Sequence, residues 1–219
     1  MTSCTPEPEP RPGSWTSGGP LHADLLAAKA LVYDPSGFTC TRPVPEPESA
    51  DYGAHVFAVD GSAVRFRVAR TTPTKVGQFV TVWKRSADGP IQPYDSEDPV
   101  DLFVISSRDA GRFGQFVFPR DVLCERGIVS RNGTGGKRAF RVYPPWVTTA
   151  NRQADRTQEW QAEYFLRVDL CADEGGADGD GADGDGAGKG RAGNQAADEG
   201  ASHEGAAVDL VRCRALYHP

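Results

Sequence analysis

Residues 172–205 contain no side chain more apolar than alanine: ADEGGADGDGADGDGAGKGRAGNQAADEGASHEG is mostly glycine, alanine and aspartate. Such a segment has no apolar area to bury and is expected to be flexible. Residues 1–20, with Pro6-Glu-Pro-Glu-Pro10 and Gly18-Gly-Pro20, are expected to be a disordered tail for the same reason. The fold must therefore be built from residues 21–171, with residues 206–219 as a terminal segment that can dock on it. A body of about 150 residues is large enough to bury roughly 70% of its chain surface as one domain. The hydrophobic content of 38% is low because the two polar segments dilute an ordinary body.

The aspartates at 178, 180, 183 and 185 alternate with glycine in a way that invites a calcium loop. An EF-hand counted from Asp178 places Ala182 at the fifth position and Lys189 at the twelfth, where oxygen ligands are needed. A calcium site is not expected. The five cysteines form no CxxC pair and the four histidines no HxxxH or HExxH spacing, so neither a disulfide framework nor a metal site is suggested. Free thiols point to a reducing cytoplasm. No run approaches the roughly 20 apolar residues of a membrane span, and the first ten residues lack the basic flank and apolar core of a secretory signal.

The net charge of -6 is unevenly distributed. Residues 1–61 hold three basic and eight acidic side chains, and residues 168–205 hold two and ten. Residues 62–167 hold seventeen basic and eleven acidic, a net +6. A basic body between acidic ends points to a polyanionic partner. Residues 168–205, at net -8, are also able to fold over that body and compete for the partner.

The body reads as α+β. Leu21, Leu25, Ala28 and Val32 share one face of a helix that Pro20 and Pro35 bound. Strands are expected at His55–Val59 and Ala63–Ala69, joined by an Asp60-Gly61 hairpin turn. Further strands follow at 78–83, 102–105, 114–118 and 139–143, with a short helix at 120–126. A second long helix is expected over about 150–168, and Leu210, Val211, Leu216 and Tyr217 suit a short terminal helix. The expected architecture is a mainly antiparallel or mixed sheet flanked by an N-terminal and a C-terminal helix.

Several strings within the body resemble a known family. Phe66-Arg-Val-Ala-Arg-Thr-Thr-Pro-Thr-Lys-Val-Gly-Gln-Phe-Val-Thr-Val-Trp-Lys-Arg85 is similar to the signature of the MepB family. Gly89-Pro-Ile-Gln-Pro-Tyr94, Gly136-Lys-Arg-Ala-Phe-Arg-Val-Tyr-Pro-Pro-Trp146 and Thr157-Gln-Glu-Trp-Gln161 extend the likeness over about residues 20–170. The resemblance implies a fold similar to the restriction-endonuclease core and, by that analogy, nucleic-acid binding. Members are often encoded beside efflux and regulator genes, and the family has no settled biochemical activity.

A nuclease of that type needs an Asp on one strand and Glu-x-Lys on the next, to hold a divalent metal and activate water. The corresponding strand here reads Gln78-Phe79-Val80, which supplies neither the anionic ligand nor the ammonium. An intact catalytic site is not expected. Asp51, Asp60 and Asp101 are candidates for migrated carboxylates that would take Mg2+ or Mn2+, with Lys75 or Lys84 as candidate replacements for the lysine; otherwise no cofactor is implied.

Binding is a separate matter. Arg65 and Arg67 alternate with apolar residues and share one strand face. Arg70 and Lys75 flank Thr71-Thr72-Pro73-Thr74, Trp83 stands beside Lys84 and Arg85, and Lys137 and Arg141 add charge near the sixth strand. Cations, hydroxyls and one aromatic suit phosphate contact and base stacking. The first expectation is a cytoplasmic protein with a degenerate nuclease-like core that binds DNA or RNA weakly through phosphates. A metal-dependent nuclease with rearranged carboxylates is the alternative. So is an accessory protein holding a small molecule or protein partner among Phe79, Trp83, Tyr94, Tyr143 and Trp146.

Overall fold

The computed structural model describes Trp15 and residues 19–86, 89–168 and 209–218. The flexible segment expected at 172–205, its aspartates and most of the N-terminal tail lie outside the described residues. Trp15 departs from the tail expectation. It is buried, with its ring edge-on to Tyr33 and Phe57 at 6.2 and 5.8 Å.

The ordered body opens with α1 (Ala23–Ala28), which runs through a π-helical turn (Lys29–Tyr33) into α2 (Asp34–Ser36). Pro35 does not end the helix as expected. Its ring would clash with the carbonyl four residues back, and it has no N–H to donate. The wider turn, closed by Asp34 N–H on Lys29 O, accommodates it, and Gly37 in the left-handed region ends the helix two residues later. Leu25, Ala28 and Val32 are fully buried, as their spacing requires.

A short β1 (Val44–Pro45) and a 3-10 helix (Pro47–Tyr52) lead into β2 (His55–Val59) and β3 (Ser62–Val68). Asp60 and Gly61 both take positive φ, 46° and 89°, the turn that matches strand twist in a two-residue hairpin. Next come β4 (Arg70–Thr72), β5 (Lys75–Thr81), β6 (Trp83–Arg85) and β7 (Ile91–Pro93). The long hairpin of β8 (Leu102–Asp109) and β9 (Arg112–Pro119) follows, then α3 (Arg120–Glu125) and β10 (Ala139–Val142). The chain continues through α4 (Arg152–Ala162) and β11 (Phe165–Val168) to the terminal α5 (Leu210–Tyr217).

The strands form a mixed six-stranded sheet in the order β1-β2-β3-β8-β9-β11, antiparallel throughout except between β3 and β8. A second antiparallel sheet, β10-β5-β4, packs against it, and β6 and β7 form a separate ribbon. Both faces of the central strands are covered, so Leu102-Phe-Val-Ile105 reads as an unbroken apolar run. Leu102 and Val104 face the core beneath α1 and α5, while Phe103 and Ile105 face the core under the second sheet, α3 and α4. No helix among the described residues is long and apolar enough to cross a membrane.

The long helix expected over 150–168 is shorter. It stops at Ala162, and Phe165–Val168 pairs with β9 instead. Gly114 permits this: a Cβ there would stand 2.2 Å from Phe165 Cζ and 2.8 Å from Leu166 O. The terminal helix docks through Cys213, Leu216 and Tyr217, leaving Val211 exposed, and Arg212 Nε donates to Phe165 O at 2.9 Å.

Arg67 lies on the second-core face of β3 and is only 1% exposed. Its guanidinium meets Glu46 Oε2 at 2.6 Å, donates to Phe66 O at 2.9 Å and reaches the Tyr94 hydroxyl at 3.3 Å. Removing one partner of a buried ion pair leaves an uncompensated charge, so Glu46→Ala should cost about 3–5 kcal/mol. Arg67→Met, which removes the buried charge itself, should cost less. Urea unfolding of the two variants measures the difference; a wild-type midpoint for Glu46→Ala would show that the pair contributes nothing.

Candidate functional site

The residues expected to bind a polyanion do not form one surface. Arg65 and Arg67 do share a face, but that face is closed. Both contact Glu46, and Arg65 also lies over the Tyr94 ring at 5.6 Å, so neither is free to bind phosphate. Lys84 is paired with Asp98. Arg141 donates to Gly77 O at 3.0 Å and Thr72 Oγ1 at 2.7 Å, with Lys75 O and Val76 O at 3.4 Å. It braces the β4–β5 turn and pairs with neither Asp98 nor Asp101. The corrections have one cause: in a body this basic, some cations are drawn inward by the backbone oxygens and carboxylates that must be satisfied there.

What the fold does assemble is a cleft of about 460 Å3 between β10 and α4. Lys75, Lys137 and Arg141 reach it from the β4–β5 turn, the loop before β10 and β10 itself, and Arg126 reaches it from the end of α3. No carboxylate lines it. Lys75, Arg126 and Lys137 are exposed, and none pairs with a carboxylate among the described residues. Arg126 was not apparent as a site residue in the sequence, where it reads only as the last residue before a helix-ending glycine.

The rest of the lining is aromatic and polar. Trp160, which from the sequence reads as a packing residue in the middle of the last helix region, packs on Phe118 and Tyr164 at 5.4 and 6.4 Å and also borders the cleft, with Arg126 4.9 Å over its ring. Tyr143 borders the cleft as well, and Gly77 makes room for its ring, since a Cβ there would lie 2.7 Å away. Asn151 caps α4 by accepting from the amides of Gln153 and Ala154, each at 3.0 Å. Gln161 ties the helix to β10, accepting from Tyr143 N–H and donating to Arg141 O.

Two flanking features extend this face. On the second sheet Arg70 and Arg141 are both registered opposite Phe79, so cation, ring and cation share one side of adjacent strands. Tyr52 continues the row under Arg70 at 5.9 Å. The β6–β7 ribbon carries half-buried Trp83 with Arg85 over it at 5.9 Å. It joins the loop before β10, where Val82 N–H donates to Arg138 O and Pro93 crowds Gly136. The other aromatics considered as a pocket do not converge: Tyr94 is buried on Phe103 and Trp146 packs on Phe165.

Gln78 is buried and fully engaged. It accepts from Ser107 Oγ and donates to Arg108 O and Thr71 Oγ1. The three candidate carboxylates do not form one group: Asp60 and Asp101 flank the β2–β3 turn, and Asp51 lies at the opposite end of β2. Asp51 is exposed on the 3-10 helix at one end of β2. Asp60, in the turn at the other end, accepts from Thr39 N–H and pairs with His218, and Asp101 accepts from Ala63 N–H. Among the described residues no group of three or more His, Cys, Asp or Glu is placed to hold a metal ion.

The family model described as MepB-like matches residues 46–167. A solved structure, the crystal structure of MepB, is 36% identical to this chain, with a TM-score of 0.58. The alignment covers 67% of this chain and 97% of that one. No curated protein matches.

The loop that positions Lys137 depends on Asp95. Its carboxylate accepts from Ser130 Oγ at 2.6 Å, Gly133 N–H at 2.8 Å and Glu97 N–H at 3.2 Å. These donors, Ser130 first, hold its pKa down to about 2. A depressed carboxylate stabilises the loop above the unfolded value near 4 and loses that effect as pH falls toward about 2. The amide shifts of Glu97 and Gly133 should therefore titrate with a midpoint near 2 in an NMR pH series. A midpoint near 4, the ordinary carboxylate value, would show that the anchor is not formed.

Proposed function

For this chain, which belongs to the MepB-like family, we propose a nucleic-acid-binding function without nuclease catalysis, centred on the cleft between β10 and α4. The observation that carries the reading is the convergence of Lys75, Arg126 and Lys137 on one cleft that no carboxylate lines, with Arg141 beside them but held by the β4–β5 hairpin. Backbone phosphates supply most of the affinity of such contacts, and they need positive groups that are not already neutralised. The Arg70–Phe79–Arg141 row and the Trp83–Arg85 ribbon offer flanking contacts along the same strand path.

The absence of catalysis rests on Gln78 and on the carboxylates. Gln78 spends both ends of its amide inside the sheet. Asp60 and Asp101 each accept a backbone N–H near the β2–β3 turn, and Asp51 is exposed at the opposite end of β2. The kinship of the mixed sheet with the restriction-endonuclease core belongs to this proposal as an analogy of fold, supported by one parallel junction in an otherwise antiparallel sheet. A reducing cytoplasm as working compartment is likewise proposed, supported by the buried free thiols of Cys40, Cys124 and Cys213.

Fluorescence anisotropy with labelled DNA and RNA, titrated between about 50 and 200 mM salt, tests the reading. Binding should weaken steeply with salt. Lys75→Ala and Lys137→Ala should each lower affinity and reduce the log–log slope by about 1. Absence of binding at the low-salt end would sink the proposal.

A further inference from the structure

Resting on that reading, we propose that the cleft takes a single strand rather than a duplex, with one unstacked base inside it and the flanking phosphates on its cationic rim. A duplex presents phosphates on a broad convex surface and keeps its bases stacked, so it could touch only Lys75, Lys137 and Arg126 at the mouth. Phosphate contact alone gives no use to an aromatic and apolar interior. This cleft has one along part of its wall, where Ile128, Phe140, Tyr143, Ala154 and Trp160 stand beside its polar lining. Its volume, about 460 Å3, is that of a small-ligand pocket and suits a single planar group.

The geometry inside the cleft matches an unpaired base in two further respects. Arg126 lies 4.9 Å over the Trp160 ring, so the wall offers a guanidinium held on an aromatic, the kind of group on which splayed bases stack. β10 also turns a backbone edge toward the cleft. In an antiparallel strand alternate residues direct both N–H and C=O to the same side. Arg141 O and Tyr143 N–H are directed outward to Gln161, so Ala139, two residues before Arg141, presents its donor and acceptor on that edge beside the cleft. A base exposes its Watson–Crick donor–acceptor edge only when it is unpaired. Gln153 and Thr157 on α4 border the same space with polar groups of their own.

The test uses the full chain at about 50 mM salt. Anisotropy is measured on a DNA strand of about 12 nucleotides, the RNA strand of the same sequence, the DNA duplex, and a DNA strand abasic at its central positions. At least one of the strands should bind about tenfold tighter than the duplex, and the abasic strand should lose about tenfold against its parent. Arg126→Gln, at an exposed position that leaves the core intact, should weaken the intact strand more than the duplex. The DNA and RNA arms then show which sugar the site prefers. A duplex bound as tightly as both strands, or an abasic strand bound as tightly as its parent, would overturn this inference and leave the nucleic-acid reading standing. Failure of every probe to bind would remove that reading itself.

Discussion

Arg67 is a charge enclosed by the protein, and much of the architecture is arranged around keeping it there. A guanidinium moved from water into a core loses several kcal/mol of solvation, recovered only with good geometry and a partner of opposite sign. Glu46 supplies the charge from just before the 3-10 helix, and Tyr94 supplies a hydroxyl from just beyond β7. Segments far apart in the chain therefore meet on one face of β3. The same burial, with Glu46 nearby, holds the Tyr94 hydroxyl above its usual pKa, so it stays a neutral partner. With Arg65 drawn onto Glu46 and the Tyr94 ring, β3 has no cation left for a ligand. The available positive charge lies elsewhere, on the second sheet and the loops around it.

The strand alternations and the Asp60-Gly61 turn were legible in the sequence because they are local: residues 55–59 appear as a strand without a shift at either end. The error over 163–168 was not local. Phe165 and Leu166 satisfy a helical stripe continuing from Trp160, but also a strand, and the choice is made by Gly114 on β9, some fifty residues earlier, which leaves space for the Phe165 ring. The π-turn ahead of Pro35 is of the same kind. The proline announces a helix end, yet Val32 and Tyr33 are fully buried, and keeping them in the core favours widening the helix over breaking it.

The site shows a similar division. That the body carries an excess of positive charge was readable from composition; which cations remain free was not. Lys84 and Arg141 look as available as Lys75 and Lys137 in the sequence, and only packing shows that the first two meet Asp98 and the carbonyls of the β4–β5 turn. Arg126 escaped notice, and Trp160 read only as a packing residue, because their importance arises from meeting each other across the gap between α3 and α4. No spacing rule relates positions so far apart.

Gln78 connects the fold to the proposed loss of catalysis. Its Nε2 donates to Arg108 O at 2.9 Å, and its Oε1 accepts from Ser107. A glutamate in the same place would set a carboxylate oxygen against the Arg108 carbonyl and bury a negative charge, and neither side of that contact could donate. The amide is thus chosen by its surroundings, since it is the group of this size that both donates and accepts. A carboxylate acting as a metal ligand would require a cation to replace those contacts, whereas an amide makes the junction between β5 and β8 self-sufficient. On the proposed nuclease-core analogy, the sheet has a neutral tie where a nuclease would need a charged one, and the proposed binding falls to cations that the sheet does not consume.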